Sequence, residues 1–202
     1  MIVSGITKGE GKAVFLMPCG GSVIRCCVFV LCLQSSVCFA YCTASAPPSF
    51  AVSYANGWGI DLNNTRYQPN STIDASNAAQ LALKWVYGLS TDTPRSYPYV
   101  TEDTIFVGDA GRGVVALDRE TGCERWVFAH EGYIASALLH AKVDGKEVLV
   151  FNDRIEGVYA IDAVTGEFVW HAVLDEGPIP WFSGTPVIYG NRVYVPIASQ
   201  EV

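Results

Sequence analysis

The stretch Ala116-Leu117-Asp118-Arg119-Glu120-Thr121-Gly122-Cys123-Glu124-Arg125-Trp126 returns 44 residues later as Ala160-Ile161-Asp162-Ala163-Val164-Thr165-Gly166-Glu167-Phe168-Val169-Trp170. Ala, Asp, Thr, Gly and Trp keep their places in both copies, which chance rarely arranges. A period of this length in strand-like sequence means one supersecondary unit, repeated. The same period joins Val107, Phe151 and Val195, which lie in or beside three short apolar runs, Ile105–Val107, Val148–Phe151 and Val193–Val195. Two periods apart, Pro98 recurs as Pro186, and β-branched Val100 is matched by Ile188.

Each unit has the chemistry of an antiparallel sheet. Val114–Leu117 and Val158–Ile161 are apolar at every position, as expected of strands covered on both faces. An Asp-x-x-Thr-Gly turn follows each run. Gly122 and Gly166 fall where a tight loop needs a left-handed residue, and Asp118 and Asp162 can accept loop amide protons. Ala116 and Ala160 leave room for a neighbouring sheet, and Trp126 and Trp170 offer large apolar faces for docking. Such a sheet has two apolar faces and cannot stand alone, so radial stacking into a β-propeller is predicted, with a β-solenoid as the rival. The fold class is all-β.

The chain has 202 residues, 12% of them aromatic and only 16% charged, which excludes a disordered polypeptide. The formal net charge is −7, and setting aside residues 1–46 removes Lys8, Lys12 and Arg25 but only Glu10 among the acids. No Lys/Arg cluster remains, so a nucleic-acid-binding surface is not expected. Cys19, Cys26, Cys27, Cys32, Cys38 and Cys42 crowd the first 42 residues, and Cys123 alone lies among the repeats. This distribution predicts neither a disulfide framework nor a zinc site, and in an exported protein leaves Cys123 an unpaired thiol unless its partner lies outside this sequence. His130, His140 and His171 lack ligand spacing and read as surface or packing residues.

Residues 1–46 read as an N-terminal extension. Arg25 precedes an apolar run over 26–42, and Ala44-Ser45-Ala46 fits a small-x-small cleavage pattern, so a secretory signal cut after Ala46 or Ala44 is expected. Met17 offers a start that leaves a leader of ordinary length. An uncleaved anchor is the alternative, although the run is short for a membrane span; a buried extension is the third. Membrane contact is expected only through this segment. Residues 47–56 read as a linker, 57–69 as a structured loop, 76–80 as a helical turn and Leu81–Tyr87 as a short strand carrying Trp85. The repeats are placed near 97–130, 134–174 and 179–202.

The Ala-x-Asp-x-x-Thr-Gly-x-x-x-Trp pattern resembles the tryptophan-docking repeat of the pyrroloquinoline quinone (PQQ) dehydrogenases. Gly57-Trp58-Gly59 with Asp61, Asn64-Thr65-Arg66, Leu83-Lys84-Trp85, Thr121-Gly122-Cys123, Val158–Thr165 and Ser183-Gly184-Thr185-Pro186 are similar to the polyvinyl-alcohol-dehydrogenase-like members. The resemblance spans about residues 55–202. It implies a partial propeller, about three four-stranded blades of a seven- or eight-bladed ring; since eight units at this period need about 350 residues, an N-terminal fragment is expected, with completion of the ring by further chains as the alternative. It also implies PQQ on the ring axis, a calcium ion beside it, an alcohol as hydride donor and an electron acceptor such as a cytochrome c.

The cofactor-binding candidates that follow are Arg95, Ser96, Asp153, Arg154 and Trp181. An arginine pairs with quinone carboxylates, an aspartate ligates calcium or accepts a proton, and Trp181 stacks on a planar ring. Asp153-Arg154 reads equally as a polar turn echoing Asp109, and Trp181 as an inter-blade residue. The family often places arginine in the loops opening its second and third units, where this chain has Gly132-Tyr133-Ile134 and Pro180-Trp181-Phe182. Two readings stand: part of an exported PQQ-dependent alcohol dehydrogenase acting on polymeric or secondary alcohols, or a non-catalytic propeller that binds other proteins. No catalytic residue or metal ligand is assigned.

Overall fold

A computed structural model describes residues 41–43, 46–60, 63–91, 93–173 and 180–199. The apolar run through residue 40 and the position Ala44 lie outside them. The first sheet is five-stranded, in sequence order: β1 (Ser53–Ala55), β2 (Tyr99–Thr101), β3 (Thr104–Asp109), β4 (Gly113–Asp118) and β5 (Glu124–Ala129). The second is four-stranded: β6 (Leu139–Val143), β7 (Lys146–Asn152), β8 (Val158–Asp162) and β9 (Phe168–Ala172). Two short ladders follow, one pairing β10 (Pro180–Trp181) with β13 (Ala198–Ser199), the other pairing β11 (Val187–Tyr189) with β12 (Arg192–Tyr194). All pairing between these strands is antiparallel. No helix among the described residues is long and apolar enough to cross a membrane.

The sheets stack through their apolar faces. Tyr99, Phe106, Val114 and Ala116 of the first sheet share a buried cluster with Leu149, Phe151, Tyr159 and Ile161 of the second. The opposite face of the second sheet, Val148, Val150, Val158 and Ala160, packs against Ile188, Val193 and Val195. Strands β4 and β8 are therefore covered on both sides, as their unbroken apolar sequence requires. Phe50 stacks near Tyr99, Phe106 and His140 at the seam between the first two sheets.

The repeated motif folds in the same way twice. Asp118 Oδ1 accepts the amides of Glu120 and Thr121 at 3.1 and 2.9 Å, and Asp162 Oδ1 accepts those of Val164 and Thr165 at 2.8 and 2.9 Å. Gly122 and Gly166 both take φ 76°, and each amide returns to the carbonyl of its Asp at 2.8 Å. Phe106, Ala116 and Trp126 lie opposite one another across β3, β4 and β5. The alanine is the gap across which the indole lies. A bulge after Ala116 and another after Ala160 break the register at matching points. In the first sheet the bulge turns Arg125 onto Asp118, at 2.7 Å.

Two tryptophans each cover the glycine of a later turn. The ring of Trp85 lies over Gly122, and that of Trp126 over Gly166; a Cβ placed on these glycines would stand 2.7 and 2.6 Å from the indole carbons. Trp170, next in the series, is 37% exposed. Trp85 does this without the strand expected over Leu81–Tyr87, since no ladder forms there. Its side chain packs beside Val107, Val115 and Leu117 instead, and its Nε1 donates to Arg119 O at 3.1 Å. The outer strands β5 and β9 run on past Trp126 and Trp170 to Ala129 and Ala172. The helical turn is a 3₁₀ turn over Ala78–Gln80.

The described residues before β1 form a strap across the turn end of the first sheet. Tyr41 bridges Glu124 in parallel, Cys42 N donates to Glu124 O at 3.0 Å, and Arg125 Nη1 donates to Ala46 O at 2.6 Å. Ser49 N reaches Asp103 Oδ1 at 3.1 Å. Cys42 and Cys123 form a disulfide, which corrects the expectation of an unpaired thiol. The strap brings the pair together, with Cys42 hydrogen-bonded beside the residue that follows Cys123.

Under the strap, Glu124 is 1% exposed and pairs with Arg112 through two bonds of 2.7 and 2.9 Å while accepting the Tyr87 hydroxyl at 2.7 Å. Burial pushes its carboxyl upward, but the bonds from Arg112 and Tyr87 outweigh it and hold the group below its ordinary range. Asp118 is likewise lowered: burial opposes its charge, and Thr121 and Arg125 overcome that. A depressed carboxylate stabilises the fold fully above its unfolded pKa of about 4 and loses that contribution as pH falls through the folded value. Unfolding free energy, measured with denaturant, is therefore expected to hold between neutral pH and about pH 5 and to fall below about pH 4. The Glu124→Gln variant, already weaker, should show a shallower fall. Equal slopes for the two would remove Glu124 as a source.

Candidate functional site

The five candidate residues gather at the end of the sheets where β3 and β7 finish, opposite the strap. Strand β3 closes on buried Asp109, whose two oxygens each accept Ser90 N at 3.0 Å and whose Oδ1 takes the Ser90 hydroxyl at 2.7 Å. One period on, Asp153 follows β7 and is 1% exposed. Its Oδ1 accepts the amides of Ile155 and Glu156 at 2.7 and 3.0 Å, and Oδ2 lies 2.9 Å from His130 Nε2. Burial raises this carboxyl, but the His130 bond and the two amides prevail and the group sits below its ordinary range. Both oxygens of Asp153 are thus engaged in a closed turn.

Arg154 leaves that turn in the other direction. Its guanidinium carbon stands 3.6 Å from the centre of the Trp181 ring and 5.5 Å from that of Tyr133. The backbone fixes this meeting: Arg154 N donates to Tyr133 O at 3.0 Å, and Phe182 N donates to Arg154 O at 3.0 Å. An arginine stacked this way keeps its in-plane N–H groups free for an anion, which is the geometry that suits a planar carboxylate. Tyr133 also donates through its hydroxyl to Thr93 O at 2.6 Å, tying in the segment that carries Arg95. Arg95 is exposed and has no hydrogen-bond or ion-pair partner among the described residues. Ser96 Oγ accepts Gly108 N at 3.2 Å, just before Asp109.

The arrangement therefore offers two guanidiniums, and the Trp181 face expected to stack on a planar ring carries one of them, Arg154, instead. His130 and Tyr133 are the parts that sequence spacing does not find, since neither belongs to the repeated motif. His130 packs 4.7 Å from the Tyr159 ring, which stacks at 4.1 Å on His171. His140 bonds Glu147 at 2.8 Å in another part of the second sheet. Among the described residues no three His, Cys, Asp or Glu side chains gather as metal ligands.

A separate cleft of about 770 Å³ opens between β6 and the β11 hairpin, bounded by Trp58, Ile60, Leu139, Thr185 and Ile188. None of the five candidates lines it. Its walls include the Gly57-Trp58 and Ser183–Pro186 stretches. Asn56 closes one side by exchanging bonds with the backbone of His140, at 2.9 and 3.4 Å.

The PQQ_2 family, described as outer membrane protein assembly factor BamB, matches residues 58–202. The chain is 31% identical to a polyvinylalcohol dehydrogenase of Sphingopyxis sp. (strain 113P3) over 153 residues, covering 74% of this chain and 23% of that protein. It is 29% identical to a polyvinylalcohol dehydrogenase of Pseudomonas sp over 148 residues, with coverage of 71% and 23%. Among solved structures, quinohemoprotein alcohol dehydrogenase from Comamonas testosteroni superposes with a TM-score of 0.58 at 26% identity, covering 74% of this chain and 24% of that one. The chain spans about a quarter of the length of the curated relatives it matches.

Proposed function

The chain belongs to the PQQ_2 family of propeller repeats, and from that membership we propose that it contributes blades to an exported PQQ-dependent alcohol dehydrogenase acting on polymeric or secondary alcohols. The observation that carries this reading is the Arg154 guanidinium laid on Trp181, with exposed Arg95 in the neighbouring segment. PQQ bears carboxylates, so two cationic forks, one of them laid on an indole, fit its chemistry. When bound, the quinone supplies a two-electron acceptor for alcohol oxidation. This chain's residues hold and orient: Arg154 and Arg95 pair with carboxylates, and Trp181 and Tyr133 keep Arg154 in place.

Calcium does not fit here. Asp153 has both oxygens engaged, and the described residues bring no other carboxylates into a ligand cluster. Any calcium ligands, the proton acceptor and the partner that receives electrons, such as a cytochrome c, are assigned to no residue of this chain.

The test is titration of the full gene product with PQQ, followed by dye-linked alcohol oxidation. Arg154→Ala and Arg95→Ala are each expected to weaken PQQ binding about tenfold or more, the worth of a charge-assisted pair. Wild-type affinity in both variants removes these residues from the cofactor site. Failure of the wild-type protein to bind PQQ favours the second reading, a non-catalytic propeller that binds proteins. That reading draws on the structural commitment of Asp153 and on the absence of arginine from the two blade-opening loops.

A further inference from the structure

The Cys42–Cys123 disulfide constrains where an exported chain can be cut. Removal of the leader after Ala44 or Ala46 would sever Cys42 from the folded body and leave it attached only through sulfur. It would also discard Tyr41, whose backbone pairs with Glu124, and the Cys42 amide bond to Glu124 O. Five consecutive described contacts of the strap, at Tyr41, Cys42, Ala46, Ser49 and β1, lie along one path over the first sheet. Tyr41, Cys42 and Ala46 are thus bonded to the domain as residues of its own.

We propose that the maturation cut falls between Ala40 and Tyr41. The residues before this bond are Val37-Cys38-Phe39-Ala40, with small side chains three residues and one residue before the cut, which is the pattern a leader peptidase reads. Counting from Met17, the leader then has Arg25 in its basic part and Cys26–Leu33 as its apolar part, in ordinary proportion. Pro47, which disfavours a cut after Ala46, plays no part at the new position. Tyr41 is 62% exposed, so this end of the strap faces water.

The chemistry balances in two steps. Water hydrolyses the Ala40–Tyr41 peptide bond, leaving the Ala40 carboxylate on the leader and the Tyr41 amine on the mature chain. The thiols of Cys42 and Cys123 then lose two protons and two electrons to a disulfide-bearing oxidoreductase, which is reduced to its dithiol, in a compartment that lets disulfides persist. The inference rests on export, but on nothing concerning the quinone.

The test is made on the full gene product recovered from its own exporting cells. Non-reducing digestion and mass spectrometry should give a Cys123 peptide joined to a peptide whose first residue is Tyr41. In parallel, Ala40→Arg should block processing, with precursor accumulating at least tenfold, whereas Ala44→Arg should be processed as wild type. An amino terminus at Ser45 or Pro47, alkylatable Cys123, or a processing block from Ala44→Arg but not Ala40→Arg overturns the proposal. A protein that never leaves the cytoplasm overturns the export on which it rests. Because PQQ binding is not read out, failure of the enzymatic reading leaves this result unaffected.

Discussion

Gly166→Ala is expected to lower the unfolding free energy by about 3 kcal/mol, the sum of a left-handed backbone cost and overpacking. At φ 76° an L side chain already carries roughly 1 kcal/mol of strain. The added methyl would also sit 2.6 Å from Cε3 of Trp126, inside any real carbon–carbon contact. The indole must lift, and it is packed against Phe106 with ring centres 5.6 Å apart. Gly111 provides the control, since it has φ 83° and nothing within 4 Å of a built Cβ. Gly111→Ala should therefore cost about 1 kcal/mol, strain alone. Denaturant unfolding of both variants separates the two contributions. If they lose the same amount, the docking contact contributes nothing.

Loss of the disulfide is the second large effect. Cys42 and Cys123 are 81 residues apart, and a loop of that size, when opened, releases chain entropy worth about 4 kcal/mol in the unfolded state. Cys42→Ala is expected to fall by about that amount, and the wild-type protein to fall similarly when reductant is added. The variant should then be indifferent to reductant. A wild-type unfolding midpoint that does not move on reduction would show that the hydrogen bonds of the strap hold the segment unaided.

These two experiments probe parts of the molecule that differ sharply in how readable they were. Gly166, Asp162 and Ala160 were legible because their work is local: a turn, its cap and a gap within one hairpin, each repeated at a fixed distance. Trp126 was legible from its fixed place in the repeat, and its ring lies over Gly166 of the next turn. Trp85 was not, as it does the same work as Trp126 with no strand and no preceding Asp-x-x-Thr-Gly turn. The disulfide was hidden because Cys42 ends an apolar run whose composition reads as leader, while its partner lies far along the chain. At the candidate site, period exposed the Asp109–Asp153 correspondence. The stacking of Arg154 on Trp181 depends on where the chain returns from one sheet to the next, and no spacing rule encodes that.

The glycine turns also give the molecule a direction in time. Gly122 receives Trp85 and Gly166 receives Trp126, so the catch always comes later in the chain than its latch. During synthesis each indole is complete before the turn that will cover it has emerged, and chains generally organise from the amino terminus as they are made. The first sheet therefore waits for the second to shut it, and the error of a faulty turn is felt by the sheet already built. A defect at Gly166 should leave Trp126 of the first sheet open to solvent, and its fluorescence would report the fault one blade upstream of the mutation.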